Sequence, residues 1–500
     1  MLTKSQLMSW RQCPKRLWLE RHSPTEPPAN AEALRRGQTV GEVARLVFGG
    51  PDAVMIDRTR NGAAVARSQT AEMMALGCTL FEAAFGDDEL TAYADLARPH
   101  AGGWELVEIK DASKVKPHHL DDVAIQAAAA RRAGLALKRV SVSHLNTKKP
   151  YRGGGDYSDL FTVKDVTGDV AELIEAVDGW AEAAAEVLAA ASPPERGTGD
   201  HCETPYPCPF HDRCATEEPQ VAHPAAWLPG RRSAAAQALE GAGARDMAEF
   251  PDDVLNLTQR RVKAQTLAGE IHFDQRGAAA QLAACVFPLH FLDFETVVAP
   301  IPLWAGTRPY TQKPFQFSLH ILDANGALTH RDCLLTDGED PTGAFAEALV
   351  RACGSAGSII VYNASFERTR VKELARDFGD LASQLTAIND RMVDLQPVAQ
   401  AHYYHPDQQG SWSIKKVLPC LVPELRYDLL DGVQNGTAAI DAYLELTHPE
   451  CAPDRKAALE DQLRRYCHLD TLAMIAVWAR FTGNIAALES TLDRAPKPLA

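Results

Sequence analysis

The sequence predicts an α/β chain of two domains joined by a short helical connector. Three observations carry this reading. Five hundred residues exceed what one hydrophobic core usually serves. From about Phe287 onward, short apolar runs alternate with helical stretches, the pattern of a sheet flanked by helices. Upstream, strand-like runs cluster between residues 79 and 109, with helical patterns on either side.

In chain order, residues 5–20, rich in Trp, Arg and Leu, and residues 31–47 read as helices. Strands follow at 79–85, 89–96 and 104–109, each bounded by Gly, Pro or Asp. A helix at 118–133 and a strand at 138–145 come next, then an Ala-rich helix at 170–191 ended by Ser192-Pro-Pro. The first domain is expected to span 1–218. Residues 219–286, with short helical patterns broken by Gly and Pro, read as a connector resembling a helix-hairpin-helix. The last domain is expected over 287–490, with strands at 289–294, 315–322 and 358–362 and helices at 343–352, 366–377 and 457–481.

Composition narrows the function classes. Hydrophobic residues at 46% and charged residues at 23% exclude a disordered or fibrous chain. No apolar stretch approaches the roughly 18 residues that span a bilayer. The start, Met-Leu-Thr-Lys-Ser-Gln, is polar from its third residue, so a cytoplasmic protein without a membrane partner is expected. The net charge of −15, from 51 basic and 66 acidic residues, means that any nucleic acid must be met by local basic patches. The candidates are Arg11/Lys15/Arg16, Lys148/Lys149/Arg152 and Arg260/Arg261/Lys263. An acidic excess also arises where carboxylates gather around divalent metal.

Such a gathering is visible near the C-terminus. In Phe291-Leu-Asp-Phe-Glu, period-two geometry puts Asp293 and Glu295 on one strand face, where they repel unless a cation lies between them. Ile359-Ile-Val-Tyr-Asn-Ala-Ser-Phe-Glu is a buried strand entering a helix that offers Asn363 and Glu367. Tyr466 and Asp470, four apart on a helix, share a face. The three pieces, in this order, resemble the exonuclease motifs of the DEDD family with the ribonuclease H-like fold, in its tyrosine subclass. The histidine subclass would need His where Arg465 stands. The resemblance implies that Asp293, Glu295, Glu367 and Asp470 hold two Mg²⁺ or Mn²⁺ ions and that Tyr466 orients the attacking water. Glu367 stands where most of that family has Asp. Lys415 and Lys416 read either as phosphate contacts or as a solvated pair.

A second constellation lies upstream. Asp95 is followed by Glu108-Ile-Lys110 on a strand and by Asp122-Val-Ala-Ile-Gln126 on a helix. This resembles the PD-(D/E)XK nuclease superfamily, which implies metal on Asp95 and Glu108, Lys110 polarising water, and Gln126 as a further catalytic residue. Cys13 lies far upstream of Cys202-x5-Cys208-x5-Cys214. One early and three late cysteines around a Glu-x-Lys core resemble the RecB-like nucleases, including the CRISPR-associated branch, whose four thiolates hold a 4Fe–4S cluster. A zinc site is the other reading of four thiolates. Where RecB-like nucleases carry Gly-x-x-x-His-Glu, this chain has Gly41 in place of the His, before Glu42.

Together the two halves resemble a bacterial group of RecB-family nucleases with a C-terminal exonuclease-like domain. That implies a restriction-endonuclease-like domain and a ribonuclease H-like domain, acting on DNA ends in repair, recombination or defence. RNA processing, or nucleic-acid binding with one nuclease fold inactive, are the alternatives.

Overall fold

The computed structural model describes residues 1–24, 31–57 and 62–494. It divides into two compact units, each a mixed α/β fold: Met1–Gln220 with Ala299–Thr311, and Val221–Val298 with Gln312–Ala500. The stretch expected as a separate connector therefore clusters, from Val221, with the second unit. Its helices are Ala234–Gly241, Leu257–Ala268 and Gln275–Leu282.

The first unit is built on a seven-stranded sheet. Its middle is an antiparallel meander, Leu80–Gly86, Leu90–His100 and Gly103–Lys110. The helix Pro117–Arg132 then crosses over to Leu137–Leu145, which lies parallel to Gly103–Lys110. A run of alanines, Ala127 to Ala130, is buried on this helix. Small side chains let the helix approach the sheet closely enough to bring Asp122 and Gln126 to the end of the strand carrying Glu108.

The single helix expected over 5–20 is two, Lys4–Gln12 and Pro14–His22. Pro14 has no N–H and forces the preceding residue out of the helical region, so Cys13 is extended, at φ −161° and ψ 119°.

The second unit carries a five-stranded sheet in the order Leu328–Leu334, Lys313–Leu322, Leu289–Val297, Ile359–Val361, Met392–Asp394. Lys313–Leu322 runs antiparallel to both of its neighbours, and the last two strands run parallel to Leu289–Val297. Alternation along the strands divides their side chains between two layers. Leu292, Phe294, Phe317 and Leu319 join the helix Thr342–Cys353 in an apolar core. On the other face Gln316 donates to the Leu463 carbonyl at 2.9 Å, and the Ser318 hydroxyl lies 2.8 Å from that of Thr471, both partners belonging to the helix Pro453–Thr482. That helix opens on Pro453 at its first turn and closes at Gly483, whose φ of 73° is the left-handed cap that glycine tolerates best. Among the described residues no helix is long and apolar enough to cross a membrane.

Phe345 anchors the apolar layer, fully buried and edge-on to Phe294 and Phe317 at ring distances of 5.2 and 5.5 Å. Phe345→Ala should cost about 3–5 kcal/mol of stability, read as a lower denaturation midpoint in urea with an unchanged transition slope.

Candidate functional site

Four groups of chemistry-bearing side chains emerge from these elements among the described residues. In the second unit, Asp293 and Glu295 project from the central strand Leu289–Val297 onto the face covered by Pro453–Thr482, which supplies Tyr466, Cys467 and Asp470. The Cys467 thiol lies 3.9 Å from Asp293 Oδ2. Asp293, Glu295 and Cys467 each offer one ligand atom within 4.8 Å of the others, a group able to hold a metal ion. Tyr427 donates to Asp470 Oδ1 at 2.6 Å. Lys415 Nζ sits 3.3 Å from the Tyr466 hydroxyl and over the Tyr466 and Tyr427 rings, at 5.0 and 5.1 Å. Lys416 instead reaches Gln409 at the exposed surface, so the two lysines part ways.

Glu367 is buried in the first turn of Ser365–Asp377, and its Oε2 has no hydrogen-bond partner. The turn ahead of it is set by Asp394, which accepts from the Asn363 and Ala364 amides at 3.0 and 2.9 Å. Asn363 itself holds φ at 65°, the left-handed region that asparagine enters more readily than most residues.

Electrostatics ties the four acids together. Burial, with Asp470, Glu295 and Glu367 nearby, pushes Asp293 well above the usual carboxylate range. Burial and the charges of Asp470 and Glu367 push Glu295 up to about 8. Burial lifts Glu367 to about 7 and Asp470 to about 6. Among the described residues one ammonium, that of Lys415, offsets Glu295 and Asp470. Crowded, under-neutralised carboxylates with an orphaned buried oxygen fit a divalent cation.

In the first unit the structure brings Glu108, Lys110 and Gln126 into contact, with Asp95 beside them. Lys110 donates to Glu108 at 2.7 Å and to Asp122 at 2.5 Å. Gln126 Nε2 bridges Glu108 and Asp122 at 2.5 and 3.1 Å, while Asp95 accepts the Ile109 amide at 2.7 Å. Sequence reasoning missed Lys4, whose ammonium lies 3.2 Å from Glu108 and 2.8 Å from Asp122. Burial and the charges of Asp122 and Asp95 hold Glu108 up to about 7. For Lys4 and Lys110, burial pulls the pKa down, yet Glu108 and Asp122 outweigh it and both ammonium groups stay charged. Two lysines thus stand on the carboxylates that a cation would use, a poorer fit to metal than the second unit offers. Gly41 lies on the helix Ala31–Phe48.

Cys13, Cys202, Cys208 and Cys214 line one small cavity, together with His201 and His211. The Cys202 carbonyl accepts the Cys208 amide at 2.6 Å, and Cys214 opens from the Phe210 turn. Cys13, extended ahead of Pro14, sits at the break between the first two helices. The basic clusters are largely spoken for: Arg11 pairs with Asp121, Lys15 with Glu217, Lys149 and Arg152 with Asp159, and Lys263 with Asp252.

The fourth group, His320, His330 and His468, was not among the sites expected from the sequence. A signal existed: Asn325-Gly326 marks a tight hairpin, and its symmetry sets His320 opposite His330.

A family model described as a domain of unknown function, DUF2779, matches residues 290–413. The span contains Asp293, Glu295, Glu367 and Asp394 but ends before Tyr466 and Asp470. Uncharacterized protein UU173 of Ureaplasma parvum is 28% identical over 208 residues, 37% of this chain and 30% of that protein. Uncharacterized protein MG366 homolog of Mycoplasma pneumoniae is also 28% identical over 208 residues, covering 37% and 31%. The chain thus spans less than a third of the length of these curated relatives.

The raised carboxylates predict a pH signature. A carboxyl with a folded-state pKa above its unfolded value holds its proton more tightly when folded, so stability falls as pH climbs from the ordinary value to the raised one. For Glu295 that window runs from 4.5 to about 8. In chelator, Glu295→Gln should melt higher than the parent at the top of the window and converge with it at the bottom. A stability difference that does not change with pH would remove repulsion as the cause.

Proposed function

We propose that the chain is a metal-dependent nuclease whose principal centre is the carboxylate cluster of the second unit. The observation that carries this is the convergence of Asp293, Glu295, Glu367 and Asp470, mutually repelling and under-neutralised, from one strand and two helices. The strand order, three antiparallel strands followed by two parallel ones, supports the ribonuclease H-like reading. In this proposal the four acids hold two Mg²⁺ or Mn²⁺ ions, which when bound activate water and steady the leaving oxygen. Tyr466, kept a phenol by its burial beside Asp470, orients the attacking water rather than deprotonating it. Tyr427 fixes Asp470. Lys415 offers its ammonium to the phosphate. The reading is a 3′ exonuclease on DNA, with RNA as the other substrate class.

For the first unit, the approach of Glu108, Lys110 and Gln126, with Asp95 beside them, supports a PD-(D/E)XK reading. Lys4 on its carboxylates and Gly41 in place of His favour a second reading for this unit, a nucleic-acid-binding module without turnover. The convergence of four cysteines on one cavity supports a 4Fe–4S cluster there, and the nearby histidines keep zinc as the competing occupant.

End-labelled single- and double-stranded DNA and RNA, incubated with Mg²⁺ or Mn²⁺, test the assignment. Asp293→Ala should lose exonuclease activity by at least a hundredfold while keeping its fold; full activity in that variant sinks the proposal. Activity that survives Asp293→Ala and disappears in Lys110→Ala would restore turnover to the first unit.

The cluster has a separate readout. Protein purified without oxygen should be brown, with roughly four irons per chain, and Cys208→Ala should bleach it. Colourless protein holding a zinc that Cys208→Ala removes would decide for the tetrahedral alternative.

A further inference from the structure

We propose that His320, His330 and His468 form a separate metal centre for a borderline divalent transition ion of the Zn²⁺ class, tying the long helix to the edge of the sheet. His320 on Lys313–Leu322 and His330 on Leu328–Leu334 are directly opposite in the antiparallel register. Directly paired residues project from the same sheet face. His468 comes down onto them from Pro453–Thr482. The three rings lie 4.4 to 4.7 Å apart between centroids, and each offers one nitrogen within 4.8 Å of the other two.

Packing alone accounts poorly for this arrangement. His320 is fully buried, and its Nε2 has no hydrogen-bond partner. A core that merely needed filling would place apolar side chains here, as the opposite face of the same strand does with Leu319 and Ile321. Imidazole is the commonest protein ligand for Zn²⁺-class ions, and such ligands are usually oriented through their other ring nitrogen. His320 Nδ1 lies 2.8 Å from the Thr471 hydroxyl, leaving Nε2 as the nitrogen it can offer. His468 Nδ1 stands 3.3 Å from His330 Nε2. Two nitrogens at the ~2.0 Å of a Zn–N bond and a tetrahedral angle stand about 3.3 Å apart. Without metal the same separation serves as a hydrogen bond between the rings. Ser318, 2.9 Å from His330 Nε2, also lies 2.8 Å from Thr471, so its hydroxyl keeps a partner when that nitrogen turns to metal.

Three nitrogens leave a fourth position, and the partly exposed His330 and His468 give it a route to solvent. Arg464 and Arg494 lie near His330, the first paired with Asp332 and the second on the Leu328 carbonyl. Their charge favours an anion or hydroxide as the fourth ligand. Since His468 is two residues from Asp470 on one helix, an ion here would hold that helix in register beside the acidic cluster.

Co²⁺ alone is the probe, titrated into the chelator-stripped full chain and compared between the parent and His330→Asn. The parent should take up one equivalent more, with visible bands of nitrogen-ligated, four-coordinate Co²⁺ and no thiolate charge-transfer absorption. Asp293→Ala and Cys208→Ala should keep that equivalent, which separates it from the acidic cluster and from the cysteines. His468→Gln, a second variant at a partly exposed position, should lose it like His330→Asn, with circular dichroism reporting the fold. Equal uptake and equal spectra in the parent and both histidine variants would overturn the proposal.

Discussion

The second unit depends on how the helix Pro453–Thr482 is seated on a sheet face that is polar. Helices usually grip sheets through apolar contacts, and here Trp478 against Phe291 supplies one, at a ring distance of 5.9 Å. Nearer the centre the grip is made of hydrogen bonds, from Gln316 to the Leu463 carbonyl and among Ser318, His320 and Thr471. These bonds have direction, which apolar contacts lack. A slip of one residue along the helix turns every side chain by about 100°, enough to carry Asp470 away from Asp293. The polar clamp therefore fixes the register that sets repelling carboxylates side by side. Without it they would separate, because each gains by moving back toward water.

Legibility in the sequence follows the range of the interaction. Asp293 with Glu295, and Tyr466 with Asp470, are spaced by the strand and helix periods, so both pairs could be read directly. Glu108 with Lys110 is the same case. The alternation of apolar runs that marked the strands was equally local. What escaped was brought in by tertiary approach: Lys4, more than a hundred residues from Glu108; Tyr427, from a single short helical turn that no periodicity records; and Asp394, at the end of a three-residue strand. The break at Cys13 was readable, because a proline cannot continue a helix without cost, yet the Trp- and Leu-rich periodicity on both sides masked it. His320 and His330 were readable only to someone who first accepted the hairpin at Asn325-Gly326.

The two acidic clusters differ less in their acids than in the cations the chain supplies. In the first unit Glu108 and Asp122 meet Lys4 and Lys110 at hydrogen-bond distance, Asp95 lies within reach of both charges, and Gln126 adds a neutral donor. Charge there is nearly balanced from within. In the second unit four acids face, among the described residues, the single ammonium of Lys415, which is shared with the Gln434 carbonyl and two aromatic rings. The remainder is expressed as carboxyl groups that keep their protons toward neutral pH, a state with little use for structure alone, since neutral or apolar side chains of similar size would fill the space without repulsion.

The same reasoning orders the candidate centres by how strongly each needs an external partner. An internal cation makes the first unit's cluster self-sufficient, so its acids can persist as a structural network even where no ion binds. The cysteines around their cavity are neutral as thiols and tolerate an empty cavity, so their need arises only if a metal removes their protons. The second unit's carboxylates have neither escape. They are anchored by a strand on one side and by a clamped helix on the other, and the one lysine nearby is half committed elsewhere. A divalent cation relieves that repulsion directly, which is why the catalytic proposal rests on this cluster rather than on the better hydrogen-bonded one.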